Sequence, residues 1–200
     1  MQAPSPQGEL THRLSELLSI GVALSRERDI NRLLEAILIA AKDITNADGG
    51  TLYRMTDDRQ CLRFEIMRND SLGIAMGGTS GANIPFYPVN LFDKEGQPVL
   101  SMVAAYAVHH DRSVNVSDAY TEAGFDFSGT KNFDKKTGYR STSFLTVPMK
   151  NHEEEIIGVL QLINAKDRSA GAVVAFSDDD QQLAESLASQ AAIALTNRLL

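Results

Sequence analysis

Apolar residues recur at helical spacing at both ends of this chain and at strand spacing between them, and that order restricts the fold most. Near the start Leu10, Leu14, Leu17, Leu18 and Leu24 fall three or four apart, and Leu33, Leu34, Ile37, Ala41 and Ile44 follow as a second stripe. Leu183, Leu187, Ala191, Leu195 and Leu199 form a third at the far end. It opens on Ser177, whose hydroxyl can cap free N–H groups, and on Asp178, Asp179 and Asp180, whose charge suits the positive end of a helix dipole. Between the stripes, Leu62, Phe64 and Ile66 alternate with Arg63, Glu65 and Met67, the pattern of a half-buried strand. A polar turn over 56–60 joins it to a strand over 51–55. Two further strands, over 143–149 and 156–164, meet at a charged turn over 150–155, and 113–116 reads as a short one. Antiparallel strands bracketed by helices predict an α+β sandwich, a sheet held between terminal helices and a central helix/loop insert.

The remaining segments carry weaker patterns. Residues 46–50 have turn chemistry, 72–83 are rich in glycine and read as a mobile loop, 99–108 suit a buried helix, and 118–140 show little periodicity. The Pro/Gln/Ser/Gly start, residues 1–8, predicts a disordered tail. A dimerisation helix over 9–28 and one domain over 29–200, ending in a signalling helix, then account for the chain. With the 33–44 helix covering the sheet, the stripes over 10–24 and 187–199 need a partner, which predicts a homodimer through the end helices. The last stripe runs to the chain end, so that helix is expected to continue into an output domain.

Composition narrows the function classes. The net charge is −7 and no dense Lys/Arg run is present, which argues against nucleic-acid and anionic-membrane partners. Cys61 is the only cysteine, so no internal disulfide or cysteine metal cluster can form, as suits a reducing compartment. With no signal-peptide pattern and no apolar run long enough to cross a bilayer, a cytoplasmic protein is expected.

Four stretches in sequence, NVSDAY (115–120), FDKKTGYRSTSFLTVPM (133–149), EIIGVLQLINAKD (155–167) and FSDDDQQL (176–183), resemble the second half of a GAF domain. LLEAILIAAKDITNADGGTLYRM (33–55) resembles its opening helix and first strand more loosely. The likeness extends over about residues 15–200. Its most specific parts are D-x-x-T-G-Y-R-x-x-S and I-G-V-x-Q-L-x-N. It is similar to the GAF domains of cyclic-nucleotide phosphodiesterases and adenylyl cyclases, and to those preceding bacterial HD-GYP phosphodiesterases. The resemblance implies a non-catalytic sensor that binds a small ligand, a cyclic nucleotide first, and controls an output domain such as a cyclic-di-GMP phosphodiesterase. It implies pocket roles for Asp134, Thr137 and Ser141, with Gln161 and Thr51 reaching in from strands, and no resident cofactor. Two departures stand out. The family's G-I-A-G-like turn before the central helix is missing from GQPVLSMVAAYAV (96–108), and the N-K…F-x-x-x-D-E signature is partial, with Ala165 inserted and Gln181 in the Glu position.

Each candidate has a plainer reading. Asp134, Thr137 and Ser141 can cap and shape a loop, and Gln161 can be an edge polar group. His109-His110-Asp111 suggests a metal, but His12 and His152 lie in a terminal helix and a charged turn, so no converging ligand set follows. Metal-free is therefore the expectation. Cys61 reads as a small half-buried residue rather than a redox or chromophore-attachment site. The rival to a ligand sensor is a ligand-free dimerisation and relay module.

Overall fold

A computed structural model describes residues 5–199. The elements are α1 (Pro6–Arg26), α2 (Ile30–Thr45), β1 (Ala47–Met55), β2 (Cys61–Asn69), β3 (Ile74–Gly77), β4 (Val89–Asn90), α3 (Val103–His110), β5 (Val114–Val116), α4 (Ser128–Thr137), β6 (Phe144–Lys150), β7 (Ile156–Lys166), β8 (Val173–Val174) and α5 (Asp178–Leu199). The strands form one antiparallel sheet in the order β3-β2-β1-β7-β6-β5, with β4 on β2 and β8 on β7. α2 and α5 cover one face, and α3, α4 and their loops lie over the other. This is the expected α+β sandwich.

Local chemistry explains where the elements begin. The Ser5 hydroxyl accepts from Gly8 N–H and Pro6 occupies the first turn, so α1 starts inside the segment expected to be a disordered tail. Residues 1–4 of that tail lie outside the described residues. At α5 the Ser177 hydroxyl accepts from Asp180 N–H, and the Asp180 carboxylate accepts from Ser177 N–H, a reciprocal cap. The turn expected over 46–50 shrinks to Asn46, left-handed at φ 54°, and Asp48, Gly49 and Gly50 enter the central strand. Gly50 lets α2 approach: a Cβ there would meet Leu38 at 2.8 Å and the Gln161 carbonyl at 2.9 Å.

Two loops hold unforeseen structure. Within 72–83, β3 pairs with β2, and its last residue must be glycine because a Cβ on Gly77 would lie 2.1 Å from the Glu65 carbonyl. Within 118–140, α4 forms and stops at left-handed Gly138. The helix expected over 99–108 begins four residues late, since Val99 N–H is committed to the Leu91 carbonyl.

The end helices divide their apolar surface differently from expectation. Leu183, Leu187, Ala191 and Leu195 of α5 face the core, so most of the stripe expected to seek a partner covers the sheet beside α2. The reason is area: α2 is too narrow to cover a sheet of this width alone. α1 lies outside this layer, with Leu17 and Leu24 buried and Arg13 paired to Asp180. Leu14, Leu18 (70% exposed) and Val22 remain on its outer side, with Ile193 of α5 across a shallow groove.

Candidate functional site

The face of the sheet opposite α2 and α5 forms the floor of a cavity of about 1210 Å³. Its floor is a cross-strand row set by register, Met67 opposite Thr51 and Thr51 opposite Gln161, with Gln161 in turn opposite Thr146, which is buried beside it. Because side chains alternate along a strand, this row points away from α2. Gln161 Nε2 donates to Thr146 Oγ1 at 3.0 Å, and Tyr53 OH lies 3.4 Å from Gln161 Oε1. Thr51 is 3% exposed, lines the cavity, and its hydroxyl has no partner among the described residues. Burial pushes the Tyr53 phenol above its ordinary pKa, so it keeps its proton.

One wall is aromatic: Tyr53 meets Phe64 at 4.7 Å between ring centroids, and Phe64 meets Phe86 at 5.5 Å. Opposite, the first residues of α3 (Val103 and Ala104) and of α4 (Gly129 and Thr130) line the cavity. Neither N-cap residue, Met102 or Phe127, contributes a side-chain cap. Asp126 satisfies Ser128 N–H alone, at 2.9 Å. The positive ends of two helix dipoles thus border one cavity. Cys61, half-buried, stands at the rim with its sulfur 3.4 Å from Asn90 Oδ1.

Of the five residues marked in the sequence, Thr51, Ser141 and Gln161 line the cavity, and Asp134 and Thr137 do not. Asp134 is 4% exposed, and its carboxylate accepts from Tyr120 OH (2.7 Å), Ser141 N–H (2.9 Å) and Ser141 Oγ (2.8 Å). Thr137 Oγ1 donates back to the Phe133 carbonyl at 2.8 Å, on the outside of α4. These two side chains close the path from α4 to β6, which is the loop-capping alternative. The Ser141 hydroxyl, although at the cavity wall, is committed to Asp134.

Behind that loop lies a polar cluster that sequence reading missed. Tyr139 OH donates to Asp48 Oδ2 at 2.5 Å and accepts from Asn164 Nδ2 at 2.9 Å. Asp48 also accepts from Ser71 (2.8 Å) and Lys166 (2.6 Å). Burial acts to raise the Asp48 pKa, but the bonds from Lys166, Tyr139 and Ser71 outweigh it and hold the carboxyl below its usual range. Burial and the Asp48 bond push the Tyr139 phenol up. Asn164 Oδ1 accepts from Thr142 N–H at 2.7 Å, so the Asn and Lys of the partial signature fasten the loop rather than line the cavity. Tyr139 sits in the quoted T-G-Y-R motif and was detectable there; Asp48 was hidden by its apparent turn.

His109 Nε2 contacts the Leu91 carbonyl at 2.6 Å, His110 stacks on Tyr106, and Asp111 caps α3 and pairs with Lys150. Among the described residues no three or more His, Cys, Asp or Glu side chains gather as a metal site.

With this geometry, comparison with known proteins defines the class. The GAF domain family model matches residues 29–195, and the chain belongs to the GAF domain family. A stretch of 98 residues, 49% of the chain, is 35% identical to the dual 3',5'-cyclic-AMP and -GMP phosphodiesterase 11A of Takifugu rubripes, covering 10% of that protein. Another, 70% of the chain, is 30% identical to the cGMP-specific 3',5'-cyclic phosphodiesterase of Drosophila sechellia, covering 11% of it. The chain therefore spans about a tenth of these relatives. The fold is shared with the GAF domain of a phosphoenolpyruvate-protein phosphotransferase from Coxiella burnetii (TM-score 0.65, 11% identity, 94% and 95% of the two chains). It is shared also with free methionine-R-sulfoxide reductase from Neisseria meningitidis (TM-score 0.66, 13% identity, 100% and 96%).

Proposed function

We infer that this GAF domain is a regulatory sensor that binds a small ligand in the cavity, with a cyclic nucleotide as first candidate. The observation that carries this reading is the meeting of three chemistries in one space. The N-terminus of α3, which has no side-chain cap, and that of α4, where Asp126 takes up only the Ser128 N–H, suit a phosphate, despite the missing G-I-A-G-like turn. The Tyr53–Phe64–Phe86 wall suits a planar base, and the Thr51 and Gln161 floor suits its polar edge. Similarity to cyclic-nucleotide phosphodiesterases supports the same ligand class.

Signal transfer follows from the end helices. The groove carrying Leu18, Val22 and Ile193, with exposed Leu14 further along α1, fits a second copy of the chain, giving a cytoplasmic homodimer whose helix geometry responds to ligand. Among the described residues no helix is long and apolar enough to cross a membrane. An attached output domain, of the cyclic-di-GMP phosphodiesterase class on the resemblance, would read that geometry. The domain itself is non-catalytic on this reading. Its single thiol excludes the intramolecular disulfide that a sulfoxide reduction could form with two cysteines.

Calorimetric titration with cyclic AMP, cyclic GMP and the non-cyclic monophosphates tests the sensor reading. Binding is expected, weakened about tenfold in Thr51→Val by loss of one buried hydrogen bond. Absence of heat and of thermal stabilisation with every nucleotide, and of any co-purified molecule by native mass spectrometry, would replace it with the ligand-free relay module. One observation favours that second reading: Asp134 and Thr137 are engaged in holding the loop.

A further inference from the structure

The floor of the cavity has no fixed order of hydrogen-bond donors and acceptors. Gln161 lies between two hydroxyls, Thr146 at 3.0 Å from Nε2 and Tyr53 at 3.4 Å from Oε1. A hydroxyl both gives and accepts a hydrogen bond, so either partner can face either end of the carboxamide. Oxygen and nitrogen of that group are nearly equal in size, and exchanging them leaves packing unchanged. The Thr146 side chain is fully buried, and among the described residues its hydroxyl bonds only to Gln161. With Nε2 facing it, the Thr146 proton has no acceptor; with Oε1 facing it, the proton is placed. In that second arrangement Nε2 donates to Tyr53 oxygen, and the phenol proton becomes available to the cavity. The 3.4 Å contact is long, so the Tyr53 side restrains the carboxamide weakly in either sense. Among the described residues no charged side chain bonds to Gln161, Thr51, Thr146 or Tyr53 to favour one order.

We propose that Gln161 is a two-way reader, turning its carboxamide over between Thr146 and Tyr53 to match either order of donor and acceptor on the edge of a neutral planar heterocycle. This rests on the cavity being a ligand site. Guanine offers an N1–H donor beside an O6 acceptor, and adenine offers an N1 acceptor beside an N6–H donor. A carboxamide in one orientation pairs with both atoms of only one of them, and its reversal pairs with the other.

Two experiments test it on the whole chain. The first needs no ligand and uses the side-chain NH2 resonances of Gln161. A two-way carboxamide brings its NH2 protons beside both partners, so nuclear Overhauser contacts from those protons to the Thr146 side chain and to the Tyr53 ring should both appear. Contacts to Thr146 alone show a single orientation and overturn the proposal. The second is titration with cyclic GMP and cyclic AMP. The parent chain should bind them within about tenfold of each other. Gln161→Glu, which only accepts, should shift the ratio toward cyclic GMP by more than tenfold, while Gln161→Leu should weaken both. A parent that separates the two by more than tenfold, or a Gln161→Glu ratio that does not shift, refutes two-way reading. Binding of neither nucleotide to the parent counts against the sensor function, and the resonance experiment still decides the carboxamide.

Discussion

Replacing Asp134 with alanine separates a loop cap from a ligand contact. The carboxylate accepts three hydrogen bonds, two from Ser141 and one from Tyr120. Tyr120 is partly exposed and can turn its hydroxyl to water, so its loss is small. The Ser141 N–H and hydroxyl are buried and would lose their acceptor. Each buried donor left unsatisfied costs about 1–3 kcal/mol, so the variant should lose about 2–6 kcal/mol of stability. For a domain of this length about 1 kcal/mol corresponds to about 2–4 °C in Tm, which predicts a fall of about 4–24 °C. Thr137→Ala, which removes two exposed bonds at the end of α4, should change Tm by about 2 °C or less. Scanning calorimetry of the parent and both variants reads the stabilities, and nucleotide titration of the folded variants reads binding. An Asp134→Ala protein that melts with the parent but loses nucleotide affinity would refute the capping argument and return Asp134 to the ligand.

Further outcomes follow from the same contacts. The Asp48 pKa is depressed in the folded state, so its bonds stabilise the fold above the unfolded carboxyl value of about 3.9 and are lost as pH falls through the lower folded value. Tm should therefore drop as the solution is acidified below about pH 4, with a shallower slope in Asp48→Asn; equal slopes would show that Asp48 contributes nothing. Leu18→Glu with Val22→Glu places charge on the exposed side of α1 without touching the core, so light scattering should find a folded monomer. A tight dimer in that double variant would move the interface off the end helices.

Long, strongly periodic segments were legible from the residues. The 33–44 stripe became α2, the alternation over 62–66 became β2, and the Ser177 cap opened α5 where its chemistry indicated. Short elements were not. α4 is a polar ten-residue helix with little apolar repeat, and β3 exists because β2 offers it an edge. The Asn46–Gly50 segment has turn composition, yet four of its residues form strand, since burial between two neighbouring strands outweighs local preference.

The candidate site divides along the same line. Thr51 and Gln161, marked through the resemblance, stand on the cavity face because strand parity carries a residue to one side of the sheet, and their register brings them opposite each other. Asp134 and Thr137 share the D-x-x-T-G-Y-R-x-x-S motif with Ser141, but a motif states spacing along the chain, not the direction in which a side chain points. Only the packed loop turns Asp134 inward to Ser141 and Tyr120. Tyr53 and Thr146 gained their place beside Gln161 from strands joined across the sheet, over separations of 108 and 15 residues. Periodicity, capping residues and charge act within a few residues, so the sequence by itself determined the α+β class, the helix ends and the face each strand residue would take. Which polar groups meet across the cavity, and which apolar stripe of the end helices is left uncovered, depended on contacts between distant segments, and only the tertiary structure decided them.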